Sequence, residues 1–210
     1  MKIDVEVPQN ASALFRHLLA GGYLSSNHPE PKYMHLYREC EKYEEGLRKL
    51  WSISGVGLVK EEGLFYFEDL NEDDCESTEV DKKLQSYLPF IRFHILLSRI
   101  YDGIEIGAIF SLADIETKVL ENISLSKHYK KKDKDSIRKE IEKEVKLFQN
   151  AGYLYCIDTL EQKYIVLNAF QRLLDFLSLI AIEGMESIKD EMHREIEILK
   201  EETVDDHTSK

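Results

Sequence analysis

Lys127, Lys130, Lys131, Lys132, Lys134, Arg138 and Lys139 crowd one short stretch, interleaved with His128 and Tyr129. Cations in such a run suit the phosphate oxygens of a nucleic-acid backbone, which carry charge but no base identity. The same run equally suits a solvated loop whose charges offset an acidic neighbour. Arginine and asparagine at base-reading positions are sparse, which argues against a sequence-specific reader.

Catalytic chemistry finds little support. No glycine-rich phosphate loop, HExxH or GxSxG occurs, and the seven histidines are dispersed. His17 and His94 lie beside apolar residues on predicted helices and read as packed or half-exposed rather than as ligands, while His28 and His35 are too isolated from other ligating residues to suggest a metal. The three cysteines, Cys40, Cys75 and Cys156, are far apart with no CxxC spacing, so they read as reduced thiols. Carboxylates are so numerous that any pair is expected by number alone. A hydrolase using them would need a metal ordered in a cleft. No catalytic residue, cofactor or metal is therefore expected.

The basic run leads into the stretch that must position it. Ile137, Ile141, Val145 and Phe148 recur at helical spacing, and Gly152 stops the helix where positive φ is commonly required. Two short β-rich segments follow, YLYCI and KYIVL, joined by a polar turn over Asp158, Thr159, Leu160, Glu161 and Gln162. Helix followed by hairpin is the closing half of a winged helix.

The elements upstream repeat that order. A first helix runs from Asn10 to Ala20 with Leu14, Phe15, Leu18 and Leu19 on one face, and Asn10 or Ser12 can cap it. Leu36, Tyr37, Cys40, Tyr43, Leu47, Leu50 and Trp51 indicate one kinked helix or two short ones. A tight hairpin turns at Glu61, Glu62 and Gly63. Residues 69–83 are acidic and without period, marking a linker. A helix then runs from about Leu84 to Tyr101 with Pro89 in its first turn or at a kink, residues 103–107 read as a short strand, and Ser111 with Asp114 caps another helix. Asn168 and Gln171 resemble a capping box opening a last helix, which continues past Gly184 as a narrow stripe of Met185, Ile188, Met192, Ile196 and Leu199.

The expected fold is mainly α with small β-hairpins, an α+β chain of two tandem winged-helix domains and a long C-terminal helix. Its divisions are 1–70 for the first domain, 71–83 for an acidic linker, 84–167 for the second domain, 168–200 for the C-terminal helix and 201–210 for a frayed tail. Lys49, Leu50 and Trp51 precede Gly55 by the spacing at which Lys146, Leu147 and Phe148 precede Gly152, a faint echo between the halves.

A formal charge of −12 repels a phosphate backbone on average and favours protein partners, so DNA contact would have to come from the local basic patch. No apolar run reaches the roughly 18 residues of a membrane span, and the first residues lack the apolar core of a secretory signal, so a soluble cytoplasmic protein without membrane contact is expected.

Residues 13–24 (ALFRHLLAGGYL), the helix bearing Leu36 and Tyr37, the hairpin ending in Leu64 to Phe67, and residues 164–174 (YIVLNAFQRLL) resemble the MukE/MksE group of KITE proteins. These are tandem winged-helix subunits of bacterial SMC–kleisin complexes, including condensin-like Wadjet plasmid-defence systems. The resemblance implies a non-enzymatic, nucleoid-associated homodimer that clasps a kleisin beneath the SMC ATPase heads, touching the ATPase indirectly, for chromosome organisation or plasmid defence. Leu14, Phe15, Leu18, Tyr37, Trp51, Phe65 and Phe67 would then serve the dimer. Tyr153, Tyr155, Tyr164, Ile188, Met192 and Ile196 would face the kleisin, and the basic cluster would touch double-stranded DNA non-specifically in the assembled complex. The alternative is a dimeric winged-helix transcription regulator.

Overall fold

The structure, a computed structural model, describes residues 6–70, 77–122, 125 and 133–183. The amphipathic helix at the start forms as α1 (Ala11–Leu19), with Leu14 and Leu18 buried. Asn10 occupies its cap position but its side chain makes no capping bond. The periodic stretch that allowed one helix or two is two, α2 (Pro31–Lys42) and α3 (Glu44–Ser52), meeting at Tyr43. Pro31 opens α2, where its missing N–H costs nothing.

Between and after these helices, β1 (Leu24–Ser25), β2 (Val56–Glu61) and β3 (Leu64–Asp69) form an antiparallel sheet in the order β1-β3-β2. Glu61 pairs with Leu64 across the expected tight turn.

Helix α4 spans Ser77–Tyr101, so part of the acidic stretch expected as linker is helical and Pro89 lies in the helix interior. The apolar face of Phe93, Leu96 and Leu97 is buried in the second core and anchors the helix. A charged run carries no period of its own, and an anchored helix can propagate back through it because each added residue gains a backbone bond without a new nucleation cost.

The strand expected at residues 103–107 is instead a turn. Backbone at Asp102 takes φ of +55, and the Ala108 N–H donates to the Glu105 carbonyl at 3.0 Å. Strand β4 begins at Ile109 and ends at Ser111. Helix α5 (Leu112–Glu121) follows, capped as expected by the Ser111 hydroxyl, which accepts from the Asp114 N–H at 3.0 Å.

Helix α6 (Lys134–Asn150) buries Ile137, Ile141, Val145 and Phe148, the four residues whose spacing indicated it. Gly152 has φ of +78, the conformation that ends a helix without a Cβ clash. Strands β5 (Leu154–Asp158) and β6 (Lys163–Val166) join β4 in the order β4-β6-β5, with a register shift between Cys156 and Asp158. Helix α7 (Phe170–Glu183) closes the described chain.

The capping box expected at its start does not form. Asn168 turns its amide towards Ser26 and Gly63, and Gln171 donates to Asp175 instead. The residues expected to extend this helix past Gly184 lie outside those described.

The fold is α+β, with seven helices among the described residues and two small antiparallel sheets. Both halves run helix, strand, helix, helix, hairpin, and both sheets place the first strand beside the third. The repeat is thus one of topology, and the chain builds two aromatic-rich cores, the second of which takes in Leu64 and Tyr66 from the first unit's sheet. The first core gathers Leu14, Leu18, Cys40, Leu47, Trp51, Leu58 and Phe65, and the second centres on Phe93, Ile141, Phe148 and Phe170.

Candidate functional site

Of the basic cluster, Lys134, Arg138 and Lys139 lie among the described residues, at the start of α6; Lys127, Lys130, Lys131 and Lys132 lie outside them. The helix N-terminus is already occupied by an anion of the chain itself. The Asp133 carboxylate accepts from the Ser136 N–H at 3.0 Å and from its hydroxyl at 2.7 Å, and these bonds, the hydroxyl's first, hold its carboxyl below the usual range. Glu116, on α5 and only 8 % exposed, places its two carboxylate oxygens 3.7 Å from Lys134 Nζ and 3.7 Å from an Arg138 terminal nitrogen. Arg138 also donates through Nε to Glu142 at 3.1 Å and through its other terminal nitrogen to Gln162 at 3.2 Å.

Two of the three described cations are therefore engaged by carboxylates, the offset of an acidic neighbour that the sequence left open. Burying Glu116 requires such partners, because an unpaired carboxylate out of water is costly. A phosphate approaching here would compete with Glu116. Lys139 points to solvent on the same helix.

The residues expected at a dimer surface divide into two sets. Leu14, Leu18, Tyr37, Trp51 and Phe65 are buried within the first core. Phe15 and Phe67 are half-buried, and together with Trp51 they form a ring cluster with centroids 5.0 to 5.9 Å apart. Beside them a hollow of about 300 Å³ opens between α1 and the end of α3, lined by Phe15, Leu50 and Trp51 together with Arg16, Ala11, Ser12 and Ser54.

Sequence reasoning overlooked two further apolar side chains in this half, Ile53, 65 % exposed, and Leu70, 56 % exposed. Leu70 hydrogen-bonds through its N–H to the Gly55 carbonyl and lies against Gly57, which brings it to the α3 terminus. Large apolar residues just past an element's end were their only signal.

The tyrosines expected at a kleisin surface do not share a face. Tyr153 is buried, stacking on Tyr23 with centroids 6.1 Å apart, and burial pushes its hydroxyl pKa up. Tyr155 packs on His28 at 4.6 Å and donates to Glu30 at 3.4 Å. Tyr164 pairs across the hairpin with Cys156, so it faces the opposite side from Tyr155 and stacks on Phe110 at 6.0 Å. Ile188, Met192 and Ile196 lie outside the described residues.

The outermost apolar side chain of this hairpin is Leu160, 95 % exposed, in a turn closed by Asp158, whose carboxylate accepts from the Leu160 and Glu161 N–H groups at 2.9 and 3.0 Å.

Among the described residues no group of three or more His, Cys, Asp or Glu side chains is placed to hold a metal, and no helix is long and apolar enough to cross a membrane. Among the described residues the arrangement offers a basic face partly neutralised by Glu116 and apolar side chains exposed at the α3 terminus and at the β5–β6 turn. A protein-family model described as the condensin complex protein MksE matches residues 9–178, spanning both topological repeats. No curated protein matches the chain.

Proposed function

The chain belongs to the MksE family of condensin complex proteins, and from that premise we propose that it is a non-enzymatic, homodimeric subunit of a bacterial SMC–kleisin complex. It binds the kleisin and helps clamp double-stranded DNA without sequence preference, in the cytoplasm at the nucleoid. Each topological repeat is one winged helix of a tandem pair, the first within 1–70 and the second opening with α4 at Ser77 and running to 167, and 168–200 is the C-terminal helix. The observation that carries the reading is the family match over both repeats. The charge arrangement supports it, since Lys134 and Arg138 already engage Glu116 and the net charge is −12. DNA contact then requires cations from beyond that pair, Lys127, Lys130 to Lys132 and Lys139, and a complex that brings DNA to them.

The dimer contact belongs at the hollow by Phe15, Leu50 and Trp51, with Ile53 and Leu70 as anchors. The buried members of the expected set, Leu14, Leu18, Tyr37 and Phe65, shape this face from behind. Tyr155, Tyr164 and the stripe of Ile188, Met192 and Ile196 remain proposed for the kleisin, with Tyr153 supporting them from the core.

Co-expression with the kleisin tests this reading. The expected result is a dimeric chain that co-purifies with the kleisin, does not retain DNA alone at physiological salt, and becomes monomeric as the Ile53→Asp/Leu70→Asp variant. Lys→Glu changes at 130, 131 and 132 should weaken DNA capture by the complex in a salt-dependent manner and spare the kleisin. Tight, sequence-preferring DNA binding by the isolated chain would overturn it in favour of a winged-helix transcription regulator.

A further inference from the structure

Strand β3 belongs to both cores. Its Phe65 is buried in the first cluster with Phe67 packed against it, whereas Leu64 and Tyr66, on the alternate face, are buried in the second cluster with Phe93, Phe148 and Phe170. Side chains on successive strand residues point to opposite faces, so one strand serves two cores only when both pack directly upon it. Tyr23 extends the shared surface, its ring 6.3 Å from Tyr66 and 6.1 Å from Tyr153.

A polar clasp sits at the end of this shared strand. The Asn27 amide Nδ2 donates to the Val166 carbonyl at 3.0 Å while its Oδ1 accepts from the Asn168 N–H at 3.0 Å. Asn168 returns the contact, donating through Nδ2 to the Ser26 hydroxyl and to the Gly63 carbonyl, each at 3.1 Å. Gly63 also accepts from the Ser26 N–H at 2.8 Å. A Cβ built on Gly63, where φ is +71, would lie 2.0 Å from Asn168 Nδ2 and 2.7 Å from Ser26 Oγ, so the turn admits only glycine while the clasp is closed.

Along the same seam Arg172 lies 4.4 Å over the Tyr66 ring and donates at 3.0 Å to Glu61, which also accepts from the Tyr66 hydroxyl at 2.7 Å. Four side-chain bonds of the clasp connect residues 105 to 142 positions apart in sequence.

We propose that the β2–β3 hairpin is an intramolecular strut, locked to the start of α7 by Asn27, Asn168 and Gly63, that fixes the angle between the halves and makes them one cooperative unit. The Gly63 side of this turn is thereby withheld from partners, with Glu62 alone facing solvent, while the β5–β6 turn, with Leu160 at its tip, stays open to them. A partner that touches both halves meets a set spacing, and separating the halves requires opening the clasp. The proposal does not depend on the identity of that partner.

Two readouts on the full chain test it. Trp51, the sole tryptophan of the sequence, is buried in the first core and reports that half, whereas far-UV circular dichroism reports both. In a guanidinium titration the wild-type signals should fall together, and in the Asn27→Ala/Asn168→Ala variant they should separate into two midpoints. Spin labels at Arg38→Cys and Lys146→Cys, with Cys75 and Cys156 changed to Ser and the labelled chain diluted in excess unlabelled chain so that only the intramolecular pair is read, should give one narrow distance distribution that broadens when the clasp is removed. Asn168→Ala alone provides the milder perturbation if the double variant does not fold. Non-coincident wild-type transitions, or an unchanged distance distribution in folded clasp variants, would overturn the proposal.

Discussion

Phe148→Ala is the sharpest test of how the second half is held together. The side chain is fully buried, and its ring meets Phe93 at 4.9 Å, Phe90 at 5.2 Å, Tyr153 at 5.8 Å and Phe170 at 6.2 Å. Truncation of a core phenylalanine costs ~3–5 kcal/mol through lost transfer energy and the cavity left behind. Each aromatic pair adds about 0.5–1.5 kcal/mol beyond buried area. Here the neighbours come from α4, α7 and the segment before β5, so no single element can relax inward to refill the space. The expected loss therefore lies in the upper part of the range, about 4–5 kcal/mol, or roughly a thousandfold in the folding constant. A domain stabilised by about 5–15 kcal/mol would become marginal. Guanidinium titrations of both proteins with linear extrapolation measure the difference, and Phe148→Leu, which fills part of the volume, should lose less. A loss below ~2 kcal/mol in Phe148→Ala, with the denaturant slope unchanged, would refute the claim that this cluster is tightly packed and cannot collapse.

Acid should weaken the fold before most carboxylates titrate. Burial holds the His28 imidazole below its ordinary pKa of 6.5 despite Glu30, with His17 adding to the effect, and burial does the same to His94. The unfolded chain then binds more protons, so stability present above pH 6.5 declines as pH falls through it. Urea midpoints should drop from pH 7.5 to 5.5, and His28→Gln/His94→Gln should flatten that slope; equal slopes would contradict it. Gly152→Ala puts an L side chain at φ of +78 with its Cβ 3.3 Å from Tyr23, and should cost ~1–2 kcal/mol in the same titration. Burial pushes the Cys40 thiol up to about 12, while Cys156 is half-buried, so peptide mapping after brief alkylation at pH 8 should find Cys156 modified well ahead of Cys40. Equal labelling of the folded protein would show that the first core opens readily.

The order of the elements was legible in the sequence because it rests on local rules. The four-residue and three-residue steps from Ile137 to Phe148 select one helix face, Ser111 caps α5 through a bond only three residues long, and Gly152 and Gly63 mark turns by their missing Cβ. The repeat could be recognised for the same reason, since both halves spell the same succession of periods and breaks. The basic cluster was legible as composition but not as chemistry. Glu116 is distant in sequence from Arg138, and only packing of α5 against α6 converts a run of cations into a paired site.

Asn168 shows the limit most clearly. Its local setting suggested a helix cap, yet its amide satisfies Ser26 and Gly63 from the other half. The sequence by itself determined both hairpins, the helices with a clear apolar period and their duplication, because hydrophobic period and turn chemistry act over a few residues, whereas the charged start of α4 and the short β4 escaped it. Only the tertiary structure decided that β3 would serve two cores, which cations would be neutralised and which apolar side chains would face outward, because those outcomes depend on groups brought together from distant parts of the chain.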